Sequence, residues 1–383
     1  MGIIKRNGLY ATVLTYVGLV IGAFNTLYFF PKVLTPEQFG LFKVVLDFGN
    51  IWLGFAPLAT IGLIFRYNPY YKHDNNKSDF FTWILVVNII GAAFFIILTI
   101  LFQEKIISFF SSKSPLLTGY FPYILIFCFL FQILTILETF SAANYKLILP
   151  SFLREILNRI SQAILILFLF YKILPFNSIM MVYVFLPIIS ITVLCYNLYS
   201  NNQIKINFKV SEVSKKYYKE MIYFSSSLYS GNIFLMLASS LDSILISGLK
   251  GLDSAAIFIL SNYIVTFISI PYRSISNIAT PVLAESWKNN DMQNIKTIYQ
   301  KSSTILFVIS YFLFIVIWLN LDNTYTLLHL PSIYVDGKNI VLLLGIAKVV
   351  DMVFGLNHEL MVMSNYWKQN FYFQVILIII FIP

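Results

Sequence analysis

Seven ionisable side chains fall inside long apolar runs or at their ends: Asp47, Arg66, Glu138, Asp242, Arg273, Lys348 and Asp351. A lone charge at the bilayer centre costs at least about 2.5–3.5 kcal/mol on insertion scales, so such groups face a protein interior or water and mark ion or substrate paths. The cations Arg66, Arg273 and Lys348 suit an anion such as a phosphate. The carboxylates Asp242, Asp351, Asp47 and Glu138 suit coupling to protons or sodium. Each also has a purely structural reading. Lys348 and Asp351 are three apart and share a helical face, so an internal salt bridge would let that turn insert cheaply. Arg273 lies two residues after Pro271, as a charge snorkelling near a kink would. Arg66 can anchor topology at an inner span end, and Glu138 can be an inner-end charge. Asp242 follows Ser239 and Ser240 and can pair helices, while Asp47 lies near an outer loop. Arg154 and Arg159, five apart, do not share a face well and read as positive-inside anchors.

Other chemistry is hard to assemble from this sequence. His73, His329 and His358 are scattered, and neither a Gly-rich phosphate loop nor a Walker lysine is present, so ATP is not the expected energy source. Cys128 and Cys195 lie inside apolar runs and read as small hydrophobes, with no disulfide framework or metal spacing. A membrane-embedded polymerase or ligase would need a large outer loop or an acidic pair there. The first outer loop offers only Glu37 besides Lys32. The expectation is a protein that is not an enzyme and has no cofactor or metal.

The elements that must position these charges are membrane helices. The 383 residues are 58% apolar and 11% charged, with a mean hydropathy of +0.79. Soluble domains carry about 25% charged residues. A hydrocarbon core about 30 Å thick takes roughly 20 apolar residues per helix. Runs of that kind cover 9–30, 41–64, 80–102, 120–141, 150–170, 179–198, 221–247, 255–280, 302–320 and 340–363, and an eleventh begins at Phe371. The apolar run after Lys5 and Arg6 is longer than a signal-peptide core and lacks a small-x-small cleavage site, so it is expected to be retained as the first helix. The last run stops at Pro383 with no polar flank, which reads as a chain cut inside a span.

With the N-terminus in the cytoplasm, inside gaps hold 17 of the 26 Lys and Arg and outside gaps hold 7. That asymmetry is the positive-inside pattern. It also explains the net charge of +9 without nucleic acid, because the basic residues sit in short gaps rather than on a polar face. The longest polar gap, with five lysines, reads as a cytoplasmic linker over 199–220 between an N-terminal six-helix bundle (1–198) and an incomplete C-terminal one (221–383). Six spans per half implies parallel repeats. Glu37-Gln38-Phe39-Gly40-Leu41-Phe42 and Asp253-Ser254-Ala255-Ala256-Ile257-Phe258 open spans two and eight in weakly similar ways.

Two stretches are similar to the polysaccharide flippase branch of the multidrug/oligosaccharidyl-lipid/polysaccharide exporter superfamily. The first is Leu34-Thr35-Pro36-Glu37-Gln38-Phe39-Gly40-Leu41, followed by Gly62 and Phe65-Arg66-Tyr67. It resembles the family's outer-loop element and the arginine near the inner end of its second helix. The second runs from Leu241-Asp242-Ser243-Ile244-Leu245-Ile246 through Ala279-Thr280-Pro281 to Lys301, with Ser243 where the family commonly has arginine. The resemblance implies an all-α, MATE-like integral membrane fold of two helical bundles in the bacterial inner membrane. It implies a flippase that exports undecaprenyl-diphosphate-linked oligosaccharide for O-antigen (lipopolysaccharide) or capsule. Its partners would be that lipid-linked oligosaccharide, membrane lipids and polysaccharide polymerase machinery. A flippase needs a cationic, hydrated cavity, with Arg66, Arg273 and Lys348 holding the diphosphate. An ion-coupled drug or cation antiporter of the same superfamily is the alternative, and it would favour a cavity dominated by carboxylates.

Overall fold

The chain forms ten main helical segments among the residues described by the computed structural model, which are 2–71 and 79–363 together with 369 and 376. The eleventh apolar run lies almost wholly outside these residues. Helix α1 runs Gly2–Ala23, relaxes into a π stretch Phe24–Phe29 and ends as Phe30–Val33. Helix α2 is broken into Pro36–Phe55 and Thr60–Tyr67. Then come α3 (Phe80–Leu101), α4 (Phe121–Ala143), α5 (Ile148–Ser151, π stretch Phe152–Leu157, Asn158–Phe170) and α6 (Phe176–Phe185 and Pro187–Ser200). Helix α7 (Glu212–Leu249) is the longest. Helix α8 (Leu252–Thr266 and Ile270–Lys288) is interrupted by a 3-10 turn at Phe267–Ser269. Helices α9 (Met292–Leu327) and α10 (Lys338–Val353 and Asn357–Met363) follow. Among the described residues, six helices are long and apolar enough to cross a membrane, and α2 is a seventh if its two bent halves count as one span.

Two compact units share these helices. One holds residues 1–25 and 33–256, the other 26–32 and 257–383. Helix α7 therefore belongs to the first unit. Half of the stretch read as linker is helix, because Ser211 caps α7 by accepting from the Ser214 amide. Its first turns carry Lys, Glu and Tyr rather than aliphatics, which hides them from a hydropathy window.

The motif that opens α2 has a local physical cause at each position. Thr35 and Gln38 form a reciprocal capping box, and Pro36 fills the first helical position, where its missing N–H is not needed. Phe39 is fully buried. Gly40 lies where a Cβ would run into the backbone carbonyl of Leu252 at the start of α8. Gly40→Ala is expected to lower stability by about 1–3 kcal/mol, the usual cost of overpacking. Gly231→Ala, at a helical position with nothing within 4 Å, serves as the neutral control, and unfolding midpoints in detergent compare the two.

The break in α2 is built in a similar way. The two halves meet at 62°. Leu58 (φ 49°) and Ala59 (φ 57°) both adopt the left-handed conformation, which L-residues enter at roughly 1–2 kcal/mol each. Neighbours hold it in place. The Ser225 hydroxyl donates to the Leu58 carbonyl at 2.5 Å, and Asn88 donates to the Thr60 hydroxyl at 2.9 Å. Gly91 of α3 has no side chain to keep it from the Ala56 carbonyl.

Candidate functional site

Arg66 sits on the last turn of α2, beside the start of α7. Its Nη2 donates to Glu220 Oε1 at 3.0 Å, and the Tyr67 hydroxyl donates to the same oxygen at 3.0 Å. The guanidinium lies over the Phe224 ring at 4.3 Å and the Tyr67 ring at 5.4 Å. Tyr70 and Tyr217 extend this aromatic wall, their centroids 5.2 Å apart. On α7, residues 217, 220 and 224 recur at helical spacing and so present one face to α2. The pair is about half exposed on both sides, so its cation is open to a ligand. This is a planar cation set among aromatic rings, an arrangement that can take a phosphate bidentately and stack sugars. The sequence reading found Arg66 but missed Glu220 and its aromatic neighbours. Tyr217, Glu220 and Phe224 lie more than 150 positions away, and only the α2–α7 packing brings them in, while Tyr67 and Tyr70 are local.

The other sequence candidates fall in separate places. Asp47 is half-buried in the first half of α2 and accepts a short hydrogen bond from the Ser243 hydroxyl of α7. Ser243 thus binds a carboxylate across two helices. Asp242, its neighbour, is exposed. Glu138 of α4 is buried and pairs with Arg154 of α5. Arg159 pairs with Glu155 at 2.7 Å and donates to the Gly18 carbonyl at 2.6 Å. Both arginines therefore tie helices together. The π stretch Phe152–Leu157 supplies Arg154 and Glu155.

In the second unit, Lys348 is half-buried and Asp351 exposed on α10, and no ion pair joins these two residues. The backbone of Arg273 lies in α8, while its side chain is outside the described residues. A carboxylate the sequence reading did not single out, Glu359, accepts from the Tyr272 hydroxyl at 2.8 and 2.7 Å and from the Ser276 hydroxyl at 2.6 Å. Tyr272 and Ser276, four apart on α8, form one donor face. Such a pattern carries no charge in its donors, which is why a search for charges passes over it.

A buried polar chain crosses the first unit. Trp52 Nε1 donates to Gln132 at 2.7 Å, Gln132 to the Asn88 side chain at 2.9 Å, and Asn88 to Thr60. These buried groups satisfy one another and join α2, α3 and α4 at the α2 break. Among the described residues, no group of three or more His, Cys, Asp or Glu could hold a metal ion.

The fold is that of MATE transporters. It matches an inward-facing multidrug resistance MATE family transporter of the MOP superfamily with TM-score 0.66 at 14% identity, covering 91% of this chain and 83% of that one. The Vibrio cholerae MATE transporter VcmN in its bent form matches with TM-score 0.56 at 12% identity, over 95% and 87%. A MATE protein in complex with MaL6 matches with TM-score 0.57 at 13% identity, over 94% and 85%. At these identities the likeness defines the class: a multi-pass, all-α membrane protein of MATE-like fold. Comparison with curated proteins gives no match. The profile of the family described as "Polysaccharide biosynthesis protein" matches residues 4–287. The chain belongs to that polysaccharide biosynthesis protein family.

Proposed function

We propose that the chain is a flippase that moves undecaprenyl-diphosphate-linked oligosaccharide across the cytoplasmic membrane by alternating access, for O-antigen or capsule synthesis. The observation that carries this reading is Arg66, a half-exposed guanidinium over Phe224 and Tyr67 with Tyr70 and Tyr217 beside it. Diphosphate and sugar are the two chemistries such a surface recognises. Membership of the polysaccharide biosynthesis family and the transporter fold support it. The positive-inside count assigns this end of α2 and the N-terminus to the cytoplasm, where the loaded lipid is made.

Arg273 and Lys348 are further candidates for diphosphate binding in this reading. Asp47, which is held by a neutral hydroxyl, is the leading ion-coupling candidate, ahead of Asp242, Asp351 and Glu138. Arg273→Gln and Lys348→Gln are each expected to cut export several-fold without lowering the amount of folded protein in the membrane. Normal export in both would remove these residues from the site.

The carboxylate clusters at Asp47–Ser243 and Glu359–Tyr272 favour one alternative, an ion-coupled drug or cation antiporter. Mass spectrometry of lipid-linked glycans in cells lacking the gene separates the two, with leaflet location probed by an impermeant glycosidase. Accumulation of complete lipid-linked oligosaccharide on the cytoplasmic side supports the flippase. An unchanged lipid pool with new sensitivity to cationic dyes would transfer the function to the antiporter.

A further inference from the structure

A cavity of about 680 Å³ opens beside the Arg66 cluster but on a different face of α7. Its walls come from the α2 break, the first turns of α3 and the residues of α7 at 214, 218, 221, 225 and 229. That series follows helical spacing and is distinct from the 217, 220 and 224 face that holds Arg66. The size lies in the roughly 300–1,000 Å³ range of ligand pockets. The lining is almost wholly apolar, because its hydroxyls are paired internally: Tyr71 with Ser214 at 2.8 Å and Ser225 with the Leu58 carbonyl.

Exposed apolar side chains border the mouth. Trp83, on its rim, shares a helical face with Ile90 and Ile97, each seven residues further along α3, and all three are exposed. Ile222 on the opposite rim is also exposed. The cavity has polar and apolar ends. At one end stands Lys215, exposed, with Lys216 and Lys219 on the same turns. The acids at that end are Glu212, Glu220, which is held by Arg66, and buried Asp79, which accepts from the Ser211 amide at 2.9 Å. At the other end are Leu58 and Tyr229. Fifteen residues of α7 separate Ser214 from Tyr229, a rise of about 22 Å. Half of a bilayer with its headgroup layer is about 20–22 Å.

From this match of length, polarity and charge we infer that the cavity is a binding site for one anionic phospholipid. An acyl chain lies along α7 toward the α2 break, and the phosphate lies against Lys215. The bound chain packs against Leu58 and Thr60, so the lipid braces the strained break. This inference stands independently of which substrate the protein moves.

Native mass spectrometry of the purified full-length chain, exchanged into equal phosphatidylglycerol and phosphatidylcholine, tests it. The wild type is expected to retain one phosphatidylglycerol. Ile222→Trp and Ser226→Trp, two exposed lining positions one turn apart on α7, are expected to block the mouth and lose it while keeping helical circular dichroism and monodisperse elution. Ile222 is an exposed rim residue, so its variant keeps the test valid if Ser226→Trp fails to fold. Lys215→Gln is expected to keep a lipid with its preference for phosphatidylglycerol reduced about fivefold. Equal retention of both lipids by the wild type, or undiminished retention in folded Ile222→Trp, overturns the site. Displacement of the retained lipid by equimolar decaprenyl phosphate overturns the assignment to a phospholipid and gives the cavity to a polyprenyl tail.

Discussion

Replacing Arg66 with glutamine is expected to reduce export of the lipid-linked glycan by about 10- to 150-fold, the range for losing one hydrogen bond to a charged group. Folding should scarcely notice. The Arg66–Glu220 pair is about half exposed, and exposed pairs contribute at most about 1 kcal/mol. Loss of activity at unchanged protein level would therefore assign Arg66 to the substrate rather than to the scaffold. The lysine variant separates charge from shape. Lysine retains the charge but cannot stack flat on Phe224 or reach two phosphate oxygens at once, so Arg66→Lys should fall between wild type and Arg66→Gln. Glu220 gives a further arm. In this structure it holds the guanidinium that a diphosphate would take, so Glu220→Gln should bind the lipid-linked glycan more tightly and release it more slowly. Export by Arg66→Gln at the wild-type rate would sink the proposed role, whatever the other variants do.

The fold class was legible because apolar runs of roughly 20 residues leave a membrane protein few alternatives, and α3, α4 and α6 lie where the hydropathy places them, while α9 contains its run of 302–320 but begins ten residues earlier. The start of α7 was not, since Glu212 to Glu220 is helical by capping and tertiary packing rather than by apolar content. The α2 break was half legible. Pro57 signalled a bend, but the left-handed Leu58 and Ala59 depend on Ser225, Asn88 and Gly91 from other helices. Of the site, intramembrane charge pointed to Arg66 directly. Its partner Glu220 and the α7 side of its aromatic wall are long-range facts, and so is the pairing of Asp47 with Ser243. Helix spacing shows which residues share a face, and packing decides what that face meets. Lys348 and Asp351 share a face by spacing, yet one is half-buried and the other exposed.

Arg154 shows the same limit with a larger energetic consequence. The sequence reads it as a surface anchor, yet it is the counter-charge to Glu138, whose side chain is only 8% exposed while that of Arg154 is 51% exposed. The two members of the pair should therefore respond unequally to substitution. Arg154→Leu leaves a buried carboxyl without its cation and is expected to cost about 3–5 kcal/mol. Glu138→Gln removes the buried charge and leaves an arginine that already reaches solvent or headgroups, so it should cost much less. Because the two residues share one interaction, their effects should not add. The double variant Glu138→Gln with Arg154→Leu is expected to be more stable than Arg154→Leu alone, since no buried charge is then left uncompensated. Unfolding midpoints of the four proteins in one detergent check this. If Arg154→Leu proves harmless, the arginine is only a topology anchor, and α4 and α5 are held together by their apolar faces alone.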